Sequence, residues 1–511
     1  MRPFRPPASL CAFFYDAAFV VLAPWPVRVQ VRVFVASVPP RLVAGQLVSQ
    51  YLHPSAHGHE GGESSPDASA LAMRFSTCSS ESMSSSYREP MRPSRLDLLS
   101  AYDAALVAVE PRAAVSRSMS LEGGVLSVGS HSVNDVTPDD IVIVGIGKAA
   151  AGMAIGAHDA VGASRGIVVT THATNSPYPL FVGSHPIPDE MSLRCGEALL
   201  SFVAGTRPSD VVVFLVSGGG SAVAVAPVDG VSIEDLAEMN RLLIASGMPI
   251  EDINAVRASV SRIKGGGLAD TATAKRLATL ILSDVVGASP AHVASGPSTG
   301  FAASSNPGIV IDTYGLGTDL PGSVFTTIAR SSEREKRPVS TYDVIGSPEI
   351  AAKAAVEFLR SSGFDATLAA TNMTGESRHE AVAFVDSASP GTVTVAAGET
   401  TVEVRGRGVG GRNQEAALAA AIRIEGQDVL FASLGTDGID GPTEATGAVV
   451  DGTTASNARD LGLDLGVAFQ ENDSHTVLTV LDETVVTGPS GTNVADLWMV
   501  AKGPFGQSSG T

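Results

Sequence analysis

The chain has 511 residues, 44% of them hydrophobic, which is enough for two or three folded domains and excludes wholesale disorder. A net charge of −19 and a pI near 4.9 exclude a general nucleic-acid binder, which needs a basic face to release counterions. Three cysteines cannot staple a disulfide scaffold, so a reducing compartment, the cytoplasm, is expected.

Residues 1–92 do not read like the rest. The apolar stretch from Ala12 to Ala23 is too short to span a bilayer, and Asp16 interrupts it. The run from Ser79 to Ser86 is rich in serine. A disordered extension, or a start codon placed too far upstream, is expected here rather than an export signal; Met73, Met83 and Met91 are alternative starts. No other segment approaches 18 uninterrupted apolar residues, so no membrane span is expected.

Order is expected from Arg92 onwards. Leu96 to Leu106 carries apolar residues at helical spacing. Ile141-Val142-Ile143-Val144-Gly145 is a short apolar run ending in glycine, which predicts a buried parallel strand, followed by a helix near 148–160. Strands at 166–171, 211–216 and 277–284 and a helix near 190–204 continue the alternation, predicting a doubly wound parallel sheet over residues 93–330. The stretch 300–340, rich in Gly, Pro, Ser and Thr, marks the boundary. A second α/β domain is expected over 331–504, before a tail at 505–511. Its helices are predicted near 348–361 and 412–424, and its strands near 366–371, 392–397, 401–405, 429–434, 476–481 and 496–501.

Four loops stand where ligands bind open parallel sheets, beyond strand carboxyl ends. Gly145-Ile146-Gly147-Lys148 lets backbone approach an anion and adds a cation; only six of the 34 basic residues are lysines, so this one weighs more. That lysine-poor, acidic composition suits a salt-adapted organism or an ordinary acidic protein equally. The Gly145 loop is neither a Walker A loop nor a good dinucleotide fingerprint, because no acid ends the next strand, where Thr171-His172 stand. Ser217-Gly218-Gly219-Gly220-Ser221 offers bare N–H groups to phosphate oxygens, or is merely a flexible turn. Arg257, Ser261 and Lys264 are spaced to share one helix face ahead of a glycine triplet, as an anion site or a salt-bridged surface, and Asp284 ends the next strand to hold a metal or orient a lysine. Asp437 and Asp440 are candidates for Mg²⁺ or for substrate hydroxyls, with simple Asp-Gly turns as the alternative. Upstream, Arg412 could clamp a carboxylate beside Asn413. The histidines lack zinc spacing, and no G-x-S-x-G elbow appears.

Taken together, VGIGKAA, SHPIPDE, LVSGGGSA, INAVRASVSRIKGGGLA, LILSDVVGASP, GGRNQEAAL, LGTDGIDGPT and TGPSGTNVAD resemble the glycerate 2-kinase family, in family order over about residues 95–502. The resemblance implies a Rossmann-like N-terminal domain, a C-terminal MOFRL domain and a cleft between them. It also implies transfer of the ATP γ-phosphoryl group to the 2-hydroxyl of D-glycerate, with ATP and Mg²⁺ as cofactors. On that reading Lys148, Arg257, Lys264 and Asp284 are catalytic, and Gly145, Gly147 and Ser217–Ser221 hold phosphates. Arg412, Asn413, Asp437 and Asp440 then bind substrate, the two aspartates also holding Mg²⁺. A small-molecule substrate and a monomer or homodimer are expected. The rivals are a nicotinamide-dependent hydroxypyruvate reductase, a label often given to this family, and a non-catalytic sugar-acid binding protein.

Overall fold

The computed structural model describes residues 92–287, 289–299, 306–330 and 340–505, and the backbone of two short paired strands, Phe13–Tyr15 and Ala18–Val20. The expected extension over 1–92, but for those strands and Arg92, and the expected tail, but for Phe505, lie outside the described residues.

The first sheet has strands β1 (Ile141–Ile146), β2 (Arg165–Thr170), β3 (Leu180–Val182), β4 (Val211–Ser217), β5 (Arg276–Leu282) and β6 (Thr341–Gly346). Every residue of β1 and β4 is buried, as a strand covered on both faces requires. All pairings are parallel, in the order β6-β5-β4-β1-β2-β3. The chain winds one way from β1 to β3 and the other way from β4 to β6. The topological switch therefore lies between β1 and β4, where a crevice opens beyond their carboxyl ends. β6 stands past residue 330, so this sheet continues across the expected change of domain.

The second sheet has β7 (Ala366–Met373), β8 (Thr392–Gly398), β9 (Val429–Gly435), β10 (Gly447–Asp451), β11 (Thr484–Val485) and β12 (Asp496–Lys502), in the order β7-β8-β12-β9-β10-β11. Only β7 and β8 pair in parallel; β12 runs antiparallel to both its neighbours. Because β12 starts where β8 and β9 end, its first residue, Asp496, pairs with Gly398 and Gly435 at their carboxyl ends.

Two predicted strands are absent. Thr401–Arg405 alternates like a strand, but only Thr401 bridges to Glu376; Arg405 and Gly406 then donate their N–H groups to the Asn472 side chain. The β-branched run at 476–481 lies mostly in the helix Ser474–Val480, because helical spacing buries Val477 and Leu478 together. The first described helix, α1 (Arg95–Ala108), opens with a capping box between Ser94 and Asp97. It crosses to the second sheet: Tyr102 Oη donates to Gly435 O at 2.8 Å and Arg95 Nη1 donates to Val449 O at 2.9 Å. One apolar cluster runs from Ile143 and Leu280 of the first sheet to Val395 and Met499 of the second. Among the described residues, no helix is long and apolar enough to cross a membrane.

Candidate active site

The loops after β1 and β4 are stitched together at the switch point. Lys148 N donates to Gly218 O at 2.9 Å, and Ala149 N donates to Ser217 Oγ at 3.1 Å. Gly147 has φ +121°, and a methyl group there would collide with Ser217, so only glycine lets the two loops meet. The Lys148 side chain runs over Gly219, where an added Cβ would lie 3.0 Å from Lys148 Cγ and 3.2 Å from His185 Cδ2. Lys148 and His185 line an open cleft with Thr171, Ser184 and Met191. Burial, reinforced by the Lys148 charge, pushes the His185 pKa below the ordinary imidazole value. Sequence spacing gave His185 no role.

Asp284 follows β5 and abuts Gly218, leaving no room for a side chain there. Burial and the nearby Glu399 carboxylate raise its pKa, while Lys148 acts in the opposite direction. Asp284 thus feels Lys148 from its own sheet and Glu399 from the second one. Gly145 lies inside β1, where an added Cβ would lie 3.3 Å from Ala150 O, so it serves helix–strand packing rather than a ligand.

The shared helix face expected for Arg257, Ser261 and Lys264 does not form. The helix ends at Ser259, and Ser261 Oγ instead accepts the N–H groups of Ile263 and Lys264 in a turn. Lys264, 6% exposed, reaches beneath the triglycine loop and donates to Ser221 O at 2.6 Å and Ser221 Oγ at 2.7 Å. Arg257 Nε donates to Asn240 Oδ1 at 2.7 Å, and burial lowers its pKa.

In the second half, Arg412, Asn413 and Asp440 form one network around Asp496. Arg412 holds Asp496 with two parallel bonds, Nε at 2.6 Å and Nη2 at 3.0 Å, while its Nη1 lies 3.2 Å from Glu399 Oε1. The expected open carboxylate clamp is therefore already engaged. Asp440 corrects another expectation. Its Oδ1 accepts from Asn413 N and Nδ2, and its Oδ2 accepts from Gln414 N and Nε2. It anchors the first turn of the helix Arg412–Arg423, where N–H groups lack helical partners. Asp437 Oδ1 accepts the Ile439 N–H at 3.1 Å. With Asp440 saturated, the two aspartates do not make the expected Mg²⁺ pair, and among the described residues no cluster of three His, Cys, Asp or Glu could hold a metal. Asp496 and Glu399 escaped sequence reading because strand pairing, not spacing, brings them to Arg412. Burial raises the Asp496 pKa to about 6 against the pull of Arg412.

Residues 97–329 match the family described as a domain of unknown function (DUF4147), and residues 392–496 match the MOFRL family. A D-glycerate 2-kinase from Thermotoga maritima is 35% identical over 378 residues, covering 70% of this chain and 90% of that protein. A protein from Agrobacterium vitis that carries the name hydroxypyruvate reductase is 36% identical, covering 70% of this chain and 86% of that one. A crystal structure of a glycerate kinase from Thermotoga maritima superposes with a TM-score of 0.70 at 32% identity, covering 80% of this chain and 100% of that one.

Proposed function

The chain belongs to the glycerate kinase family whose C-terminal part is a MOFRL domain, and from that premise we propose that it transfers the ATP γ-phosphoryl group to the 2-hydroxyl of D-glycerate. The observation that carries this reading is the meeting of Lys148 with the Ser217–Ser221 loop at the switch point, next to Asp284 and in reach of Glu399 from the second sheet.

Phosphoryl transfer through a loose transition state needs positioning and charge neutralisation more than a strong base. The Ser217–Gly220 backbone cradles the phosphates, and the Lys148 ammonium meets the transferring group. Asp284, whose raised pKa makes its carboxylate a stronger base, holds the acceptor hydroxyl and takes up its proton. Asp496 fixes the Arg412 guanidinium from one side, so its other edge, now beside Glu399, receives the glycerate carboxylate. Asp440, whose oxygens are committed to Asn413 and Gln414, is not a ligand for Mg²⁺ in this reading.

An NADH-dependent hydroxypyruvate reductase would need an acid for the adenine ribose after the second strand, where Thr171 and His172 stand. A non-catalytic binding protein would turn over neither substrate pair. Coupled assays separate all three. ADP release with ATP and D-glycerate is expected; NADH oxidation with hydroxypyruvate and no ADP would overturn the kinase reading.

A further inference from the structure

We propose that Ser221 and Lys264 form a serine–lysine nucleophile, able to accept an acyl group from small activated carboxylic esters. The pair stands on its own geometry, so it does not depend on the kinase reading.

Lys264 Nζ lies 2.7 Å from Ser221 Oγ and 2.6 Å from Ser221 O. Among the described residues no carboxylate reaches this amine, and the charged group acting on it is Arg257, of the same sign. Burial and that repulsion bring its pKa down to about 7, so a neutral amine is populated at ordinary pH. A third hydroxyl completes the arrangement. Ser295 Oγ lies 3.1 Å from Ser221 Oγ and donates its own hydrogen to Asn254 Oδ1 at 2.9 Å; Asn254 Nδ2 in turn donates to His292 Nδ1 at 3.2 Å. With Ser295 committed to Asn254, the Ser221 proton has the neutral Lys264 amine as its acceptor. Ser221 itself is half-buried, two residues from Gly219, over which Lys148 and His185 border the open cleft.

In the step, Ser221 Oγ forms a bond to the ester carbonyl carbon while its proton passes to Lys264 Nζ. The carbonyl–alkoxy bond breaks, and the leaving alcohol takes that proton from Lys264. Water then attacks the acyl-serine, releasing the acid and restoring Ser221.

The test uses the full chain and p-nitrophenyl acetate, with the acetyl adduct located by peptide mass spectrometry. Acetylation on Ser221 is expected, with a rate that rises as pH passes through about 7. Lys264→Met should label at least ~100-fold more slowly, the scale for losing a general base. An adduct confined to other residues, or neither an adduct nor p-nitrophenol release above the uncatalysed rate, would overturn the proposal. So would a folded Lys264→Met protein that labels at the wild-type rate. Should that variant not fold, the wild-type profile decides: a rate flat from acid to alkaline pH removes Lys264 as the base.

Discussion

Gly218 and Asp284 occupy adjoining space: a methyl group on Gly218 would overlap the Asp284 carboxylate. The contact joins the exits of two neighbouring parallel strands, and it sets Asp284 beside the loop proposed to cradle phosphate. Gly218→Ala should displace Asp284 and cost about 1–3 kcal/mol of stability, as overpacking does. Its kcat/KM should fall at least ~100-fold, because the acceptor group moves away from the transferring phosphoryl. Parallel thermal melts and initial rates check this; a stable Gly218→Ala protein with wild-type turnover would place the acceptor elsewhere.

Lys148→Ala should lower kcat/KM at least ~100-fold, the scale for losing one donor to the transition state. The effect should fall on kcat more than KM if the ammonium acts mainly on the transferring group. Lys148→Arg should restore little, since a planar fork does not replace a point charge at a tight turn. Circular dichroism should show an unchanged fold. Near wild-type rates in folded Lys148→Ala would remove this residue from the mechanism.

Asp440 anchors a helix. In Asp440→Asn, the new NH₂ group must face a donor that now faces a carboxylate oxygen. A loss of about 1–3 kcal/mol in urea unfolding is expected. The Mg²⁺ concentration giving half-maximal activity should not move. A large shift in that concentration with unchanged stability would restore Asp440 as a metal ligand.

Glu483 carries a pH dependence. Burial, aided by Asp451, raises its pKa to about 7, against the Thr454 hydroxyl and Arg95, which act to lower it. A raised carboxyl pKa means the native state binds the proton more tightly than the unfolded chain does. Stability from this group is therefore full below the ordinary value near 4.5 and falls as pH rises towards about 7. The loss is at most about 3 kcal/mol before solvent screening. Glu483→Gln should flatten denaturation midpoints across that window. Equal slopes for both proteins would contradict the burial argument.

The four central strands of the first sheet are legible as short, mostly apolar runs, two of them, β1 and β4, leading into glycine loops; its short edge strand β3 and the polar edge strand β6 carry no such run. Lys148 and Ser217–Ser221 were found the same way. The second sheet was harder. Gly447–Asp451 escaped notice, and 476–481 carries strand-like residues that tertiary burial holds in a helix. Asp496 meets Arg412, 84 positions away, because antiparallel pairing sets it against Gly398 and Gly435, and the same pairing brings Glu399, just past Gly398, to that end of the sheet. Lys264 was singled out beside its glycine triplet, but its partner Ser221 lies 43 residues away, across the loop.

The central claim is the chemistry, and the product's phosphorylated carbon tests it most directly. The protein would be incubated with ATP, Mg²⁺ and D-glycerate labelled with ¹³C, and the product read by ¹³C and ³¹P NMR. Phosphorus coupling to the carbon bearing the 2-hydroxyl, with ADP formed in equal amount, is the expected result. Phosphate on the 3-hydroxyl would contradict the assigned position, and no phosphorylated glycerate from a folded protein would contradict the kinase reading itself.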